Sequence, residues 1–238
     1  MRSVNRCYNE ENRTHGGTVR VFSTEGETMD NKMRLRKILR GLKKEYPEPK
    51  TALKFRTHFE LLVATVLSAQ TTDAQVNKVT EPLFRKYRSI TDYAETDLDV
   101  LKKDVNSVNF YNNKAKNIQG SARMIIDSFK GKVPGTMEEL LMLPGVARKT
   151  ANIILSGAFG INEGIAVDTH VNRLANRLGL TRHEDPVKIE QDLMEITPKA
   201  EWGNLSHLLI FHGRKVCQAR KPKHSDCVLY EICPSKDI

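Results

Sequence analysis

The chain has 238 residues, of which 39% are hydrophobic and 28% charged, and its formal net charge is +9. No apolar run approaches the roughly 20 residues that a membrane-spanning helix needs. The first residues, MRSVNRCYNEENRTHGG, contain no apolar stretch of the kind found in secretory signals. We therefore expect neither a membrane protein nor a secreted one, and the four cysteines are not expected to form a disulfide framework.

The positive charge lies in the part of the chain that follows residue 30. Residues 1–30 contain four arginines and five acidic residues, a net charge of −1, which leaves +10 for the remainder. We expect this polar first segment to be a disordered leader. A pI near 9.4 for the whole chain, with the positive charge in this part, indicates a polyanionic partner, nucleic acid first and an anionic membrane second. The alternative is that the basic surface is only solvated and binds no polyanion.

The segments after residue 30 show helical periodicity, and none shows a convincing alternation of period two. FELLVATVLSA (59–69) is apolar nearly all round, which predicts a central buried helix. TMEELLML begins with Thr136 and Glu139 in capping-box spacing. In KAKNIQGSARMIIDSF one apolar face is predicted, formed by Ile118, Ala122, Ile125, Ile126 and Phe129. The other helical patterns are TTDAQVNKVTEPLFRKY, LDVLKKDVNSV, ARKTANIILSGAFG, DTHVNRLANRLGL, DPVKIEQDLMEIT and EWGNLSHLLIFHGRKV. These patterns predict an all-α protein.

The stretch LPGVARKTAN (143–152) predicts two helices joined by a tight hairpin around Gly145, the second helix beginning near Ala147. Free backbone N–H groups at a helix start can bind a phosphate, although a plain interhelical turn would have the same pattern. Arg148 and Lys149 in the first turn oppose the helix dipole, where a purely structural design would favour Asp or Glu. These two cations therefore indicate a functional hairpin.

Two polar residues stand at breaks between helical segments. Asp168, in GIAVDTHVNRLANRL, comes just before a helix and can be its N-cap. At the mouth of a cleft the same carboxylate could stabilise a developing cation, and both roles can coexist. Gln70, in LSAQTTDAQVNKVT, follows the predicted buried helix. It is either an exposed residue near a cap or an amide placed to hydrogen-bond a base edge.

A cysteine cluster ends the chain in CQARKPKHSDCVLYEIC, where Cys217, Cys227 and Cys233 are accompanied by His224. Three cysteines and a histidine form an ordinary ligand set for structural zinc. On residue types alone the stretch predicts a metal site, but they identify neither the metal nor the fourth ligand. Cys7 is a remote further candidate for that ligand.

Four motifs in order, LSAQTTD, LPGVARKTAN, IAVDTHVNR and HGRKVC with its cysteine cluster, resemble the endonuclease III family of helix-hairpin-helix DNA glycosylases. The resemblance covers roughly residues 31–238. It implies an all-α, two-domain fold with a six-helix domain at 51–162. A discontinuous second domain, 31–50 plus 163–238, would carry a [4Fe-4S] cluster. DNA would bind in the cleft between the domains, with the damaged base flipped out.

The resemblance also implies roles for individual residues. Lys149 matches the nucleophile that attacks C1′, and Asp168 matches the carboxylate that stabilises the cationic sugar. Gln70 matches a residue that fills the space left by the base, and Phe110 stands where relatives have a leucine wedge. The remaining DNA contacts that it implies are Leu143, Gly145, Ala147, Arg148, His170, Arg220, Lys221 and Lys223.

The function implied is that of a bifunctional DNA glycosylase and AP lyase, which removes oxidised pyrimidines such as thymine glycol from duplex DNA. Lys149 favours this branch over monofunctional mismatch glycosylases, which are the alternative, and over a non-catalytic DNA-binding module. The expected partner is damaged double-stranded DNA and the expected state is a monomer. We expect the cytoplasm and nucleoid as its location if the source is prokaryotic, and the nucleus if it is eukaryotic.

The chain departs from the family pattern at two positions. Ala147 stands where the hairpin commonly has a second glycine, and a positive φ there would cost on the order of 1 kcal/mol. His224 stands where the pattern C-x6-C-x2-C-x5-C has its second cysteine. We expect a [4Fe-4S] cluster ligated by Cys217, His224, Cys227 and Cys233, with zinc or no metal as the alternatives. The QARKPK loop would present its cations to DNA phosphates.

Overall fold

A computed structural model describes residues 30–236 of the chain. The predictions for the leader and for Cys7 therefore lie outside the described residues, apart from Asp30. Within the described range the regular elements are helices and no strand occurs, so the all-α prediction is confirmed. In the same range, no helix is both long enough and apolar enough to cross a membrane.

The α-helices of this range are α1 (Asn31–Glu45), α2 (His58–Ser68), α3 (Asp73–Lys86), α4 (Ile90–Glu95), α5 (Leu98–Asp104), α6 (Tyr111–Phe129), α7 (Met137–Met142), α8 (Arg148–Ile154), α9 (Thr169–Arg177), α10 (Pro186–Ile196) and α11 (Trp202–Lys215). A π-helical turn, Leu155–Phe159, continues α8. Short 3₁₀ turns cover Lys199–Glu201, His224–Asp226 and Tyr230–Ile232.

Helix α2 is the central buried helix that its apolar sequence predicts. It begins at a Thr57 cap, whose hydroxyl accepts a hydrogen bond from the backbone N–H of Glu60 at 3.1 Å. Leu61, Leu62 and Leu67 have no exposed surface. Burying one such side chain contributes about 1.5–3 kcal/mol, so packing and not helix propensity fixes α2 in the middle of the fold.

The buried apolar residues form two separate cores. The first core contains residues from Leu53 to Leu155 and includes the buried faces of α2, α6 and α8. The second core joins residues from Leu35 to Tyr46, on α1 and at its C-cap, to residues from Ile165 to Leu229. Helix α1 therefore packs against the C-terminal part of the chain, and α8 and α9 lie on opposite sides of the division.

Two short helices show how local side chains set helix starts. At α7 the Thr136 hydroxyl accepts from the Glu139 N–H at 3.3 Å, but the Glu139 carboxylate bonds this hydroxyl at 2.9 Å and not the backbone N–H of Thr136. Only half of the predicted capping box is therefore formed. A complete box, not predicted from the sequence, occurs at α4 between Ser89 and Asp92.

Candidate active site

One cleft of about 930 Å³ brings together the side chains for which the sequence predicts chemistry. Lys149 lies in the first turn of α8, and Asp168 is the N-cap of α9. Gln70, two residues beyond the end of α2, and His170 line the same cleft. Because α8 belongs to the first core and α9 to the second, the cleft opens at the junction of the two cores.

The hairpin before Lys149 depends on one glycine. Gly145 has φ +77°, and a Cβ added there would lie 2.5 Å from Nδ2 of Asn117. Ala147, in contrast, is the N-cap of α8 with φ −91° and ψ 169°. This is extended backbone that any residue adopts, so the strain considered for Ala147 does not arise. Leu143 is only 2% exposed, which leaves its backbone and not its side chain for the predicted interaction with DNA.

Arg148, also predicted to contact DNA, forms an ion pair with a carboxylate of α10. Its Nε donates to Oε2 of Glu190 at 2.8 Å, and a terminal nitrogen donates to Oε1 at 3.2 Å. Asn152 donates its amide to the same Oε1 at 2.9 Å. Glu190 is 5% exposed, and a buried carboxylate needs such donors. The first turn of α8, with Lys149, is thus fixed to the opposite core, a link that sequence patterning does not indicate.

Asp168 is an N-cap, as predicted. Its Oδ1 accepts hydrogen bonds from the backbone N–H groups of His170 and Val171, both at 2.8 Å. Among the described residues, Oδ2 accepts no hydrogen bond, and the half-buried carboxylate lines the cleft. The cap therefore orients the group while leaving an oxygen for another partner.

The imidazole of His170 is held by a neighbouring guanidinium. Its Nδ1 lies 3.1 Å from a terminal nitrogen of Arg173. The same Arg173 nitrogen donates to the backbone carbonyls of Gly213 and Cys217, each at 3.0 Å. Burial lowers the pKa of His170, although the carboxylate of Asp168 acts in the opposite direction. His170 therefore connects the cleft to the cysteine region.

Gln70 and Phe110 have a left-handed backbone, with φ of +54° and +57°. Such angles are uncommon outside glycine and cost roughly 1 kcal/mol or more unless the surroundings fix them. Phe110 is 62% exposed, an unusual position for so large an apolar ring. Asn109 donates its amide to the carbonyl oxygen of Gln70 at 2.5 Å, so the two residues belong to neighbouring, connected loops.

Cys217, His224, Cys227 and Cys233 all line one small cavity beneath α9 and α11. Burial raises the pKa of the Cys227 and Cys233 thiols. Nitrogen atoms approach two of the sulfurs: Arg177 donates to Sγ of Cys217 at 3.4 Å, and Nε2 of His212 lies 3.5 Å from Sγ of Cys227. Hydrogen bonds to sulfur are a feature of thiolate ligands.

These donors are the predicted ligands of a metal site. Sulfur ligands of a single zinc ion lie about 2.3 Å from it and therefore close to one another. Within residues 30–236, no group of three or more His, Cys, Asp or Glu side chains is arranged to hold one metal ion. The four residues do, however, line one shared cavity.

The loop between Cys217 and His224 exposes its cations. Arg220, Lys221 and Lys223 are all solvent-exposed, and none forms an ion pair within the part of the chain that is described. Arg177 holds the base of the loop by donating to the carbonyls of Gln218 and Ala219 at 2.7 and 2.8 Å. The loop is therefore anchored at its base and cationic at its tip.

Residues 63–199 match the model of the HhH-GPD superfamily of base excision DNA repair proteins. The chain is 52% identical over 204 residues to endonuclease III of Synechocystis sp., covering 86% of this chain and 93% of that protein. It is 47% identical over 189 residues to endonuclease III of Bacillus subtilis, with coverage of 79% and 86%.

A solved structure of a trapped endonuclease III–DNA covalent intermediate has the same fold. It aligns with a TM-score of 0.83 and 46% sequence identity, covering 87% of this chain and 98% of that one. The chain therefore belongs to the HhH-GPD superfamily of base excision DNA repair proteins and, within it, to the endonuclease III family.

Proposed function

We propose that the protein is a DNA N-glycosylase with associated AP lyase activity, which removes oxidised pyrimidines such as thymine glycol from duplex DNA. The observation that carries the proposal is that Lys149 and Asp168 line one cleft, each at the start of a helix. A primary amine that shares an open cavity with a carboxylate can perform nucleophilic substitution at a sugar carbon.

The chemistry follows from these two groups. The amine of Lys149 forms a bond to C1′ as the bond from C1′ to the base breaks, and the proton that the new C–N bond leaves on the lysine nitrogen passes to the departing base. The carboxylate of Asp168 stabilises the positive charge that develops at the sugar. Ring opening gives a Schiff base, whose loss of a C2′ proton expels the 3′ phosphate. Water then releases the lysine and regenerates the enzyme.

Gln70 and Phe110 are proposed to prepare the substrate. Gln70 lines the cleft, and Phe110 directly follows Asn109, which donates a hydrogen bond to Gln70. Both have the left-handed backbone often found at functional sites. Phe110 would wedge between bases, and Gln70 would occupy the space left by the flipped nucleotide. Flipping places C1′ within reach of an amine that cannot enter the base stack.

The two cores are proposed to correspond to two domains, 51–162 and 31–50 plus 163–238, with double-stranded DNA lying across the cleft between them. The net charge of +9 and the exposed cations of the 218–223 loop support binding to its phosphates. We propose that the protein acts as a monomer in the compartment that holds the genome. This is the nucleoid in a prokaryote and the nucleus in a eukaryote.

We further propose a [4Fe-4S] cluster with Cys217, Cys227, Cys233 and His224 as ligands. Supporting this are the shared cavity and the nitrogen atoms near two of the sulfurs. When bound, the cluster would cross-link the ends of the cationic loop, away from Lys149. Iron analysis and visible absorbance of protein purified without oxygen test it. A stoichiometric zinc content, or active protein free of iron, would contradict the proposal.

The catalytic proposal is tested by borohydride reduction in the presence of duplex DNA that contains an abasic site or thymine glycol. The native protein is expected to form a covalent adduct, and Lys149→Ala is expected to form none. Asp168→Asn should slow release of the base while keeping the N-cap. Base release without an adduct would instead indicate a monofunctional glycosylase, and binding without base release a non-catalytic module.

A further inference from the structure

A buried lysine, Lys114, lies in the first turn of α6 and is only 5% exposed. Its ammonium has no carboxylate partner among the described residues. It donates instead to three neutral acceptors: the carbonyl of Leu67 at 2.7 Å, the carbonyl of Ala69 at 2.6 Å and the hydroxyl of Thr71 at 3.2 Å. Burial lowers its pKa. A buried ammonium costs several kcal/mol unless all its hydrogens are bonded, and here three acceptors meet three N–H groups.

These acceptors lie on both sides of Gln70. Ala69 is the C-cap of α2, and Thr71 directly follows Gln70, whose φ is +54°. Lys114 therefore fixes the residue before and the residue after a strained position. Part of this role is ordinary capping, since a cation at a helix C-terminus is favourable. Capping alone, however, does not require the hydrogen bond to Thr71, which is beyond the helix.

Lys114 is also joined to the loop that carries Phe110. Its backbone N–H donates to the carbonyl of Phe110 at 3.1 Å, the first helical hydrogen bond of α6. Asn109 completes the connection, because its amide donates to the carbonyl of Gln70 and its backbone N–H donates to the hydroxyl of Thr71 at 3.3 Å. The two left-handed residues thus belong to a single hydrogen-bonded unit.

We propose that Lys114 is a positioning residue that makes Gln70 and Phe110 move into the duplex together. The inference rests on the proposed function, in which these two residues enter the DNA. Lys114 is not among the residues that line the cleft, so it acts through its neighbours and not on the reacting atoms. The hydrogen bonds of its amine fix the distance between the two loops. They therefore also fix the distance between the Gln70 and Phe110 side chains that these loops insert into the duplex.

The first test replaces Lys114 by methionine, which keeps an unbranched stem and deletes the donors. Lys116→Met, at an exposed position of the same helix, is the matched control for the removed charge. We expect Lys114→Met to lower the single-turnover rate on duplex DNA with an abasic site by roughly 10- to 100-fold, as small displacements of positioning groups do. Borohydride trapping on single-stranded abasic DNA, which needs no insertion, should be unchanged.

Base unstacking is measured in parallel with 2-aminopurine next to the lesion. Lys114→Met should reduce the fluorescence rise, and Lys116→Met should not. An equal loss of trapping on single-stranded and duplex DNA would overturn the inference, because it would show a general structural role. Absence of any adduct from the native protein would instead contradict the proposed function.

A double-mutant cycle tests the coupling directly. In the native background, Gln70→Ala and Phe110→Ala should have non-additive effects on the duplex rate, and in the Lys114→Met background their effects should add. If Lys114→Met does not fold, the cycle is repeated in an Asn109→Ala background, since Asn109 is exposed and links the same loops. This variant should make the two effects additive without lowering the melting temperature. Effects that stay non-additive would refute the proposal.

Discussion

Gly145 and Ala147 occupy neighbouring positions of one hairpin but meet different conformational requirements. Gly145 needs a positive φ and has the side chain of Asn117 against it, whereas Ala147 has an extended backbone. We expect Gly145→Ala to lower the free energy of unfolding by about 1–3 kcal/mol and to weaken DNA binding. Denaturant unfolding and fluorescence anisotropy with an abasic duplex would measure the two effects.

Ala147→Gly is the matched control for that variant. It introduces the residue that relatives commonly have, and its expected cost is only about 0.5–1 kcal/mol from the greater freedom of the unfolded chain. DNA affinity should stay the same. A gain in affinity would show that the hairpin adopts another conformation at Ala147 when a phosphate is bound.

The structural role of a residue can be predicted from the sequence when it depends on neighbouring residues. It cannot be predicted when it depends on partners that are distant in the sequence. Asp168 as an N-cap follows from its place before a helical pattern. Glu190 and Lys114 have no such signal, because their partners lie 42 and 47 residues away in the sequence. A glutamate or lysine inside a helical pattern indicates a surface residue until the fold places acceptors or donors around it.

At the scale of single helices, the capping box of α4 has a consequence for acid stability. Backbone N–H groups of Ser89 and Arg88 donate to the carboxylate of Asp92 and hold its pKa below the ordinary value of 3.8. Because the folded-state pKa is the lower one, the stabilisation is fully present above the unfolded pKa. It disappears as the pH falls through the folded-state pKa.

Asp92→Asn is therefore expected to be less stable than the native protein at pH 7, with the difference shrinking as the pH falls below about 4. Thermal unfolding from pH 7 to pH 3 measures it. Asp127→Asn, on the exposed side of α6, serves as control and should follow the native curve. A stability difference that is independent of pH would mean that the amide replaces the carboxylate as a cap.

Helices with a strong apolar pattern are predicted well by their sequence, and their ends are predicted less well. The pattern 59–69 predicts α2 to within one residue at each end, since nearly all its positions are buried. The segment ARKTANIILSGAFG predicts one helix, but α8 ends at Ile154 and a π-helical turn follows. This π-helical turn packs against α2, a contact between distant parts of the sequence that the local pattern does not indicate.

For the whole molecule, the cationic loop predicts how binding depends on salt. Replacing Arg220, Lys221 and Lys223 together by alanine removes three exposed charges from the anchored loop. We expect weaker binding to any duplex, damaged or not. The plot of log affinity against log salt should become shallower by about 0.9 for each phosphate that the variant no longer neutralises.

The control variant removes cations that lie elsewhere. Lys130 and Lys132 follow α6, and neither lines the cleft. Their replacement by alanine should leave the salt dependence nearly unchanged. An equal effect of both variants would mean that only net charge matters and that the loop has no particular place in binding.

The packing of α1 in the second core has a consequence for synthesis. Leu35, Ile38 and Leu42 leave the ribosome early, yet their partners include Leu205 and Leu229, near the end of the chain. The first core, from Leu53 to Leu155, can condense meanwhile, since domains generally fold as units during translation. Until α11 emerges, α1 carries an uncovered apolar stripe on the nascent chain. During this interval the nascent polypeptide depends most on a chaperone. A product truncated before α11 would keep the apolar stripe of α1 uncovered.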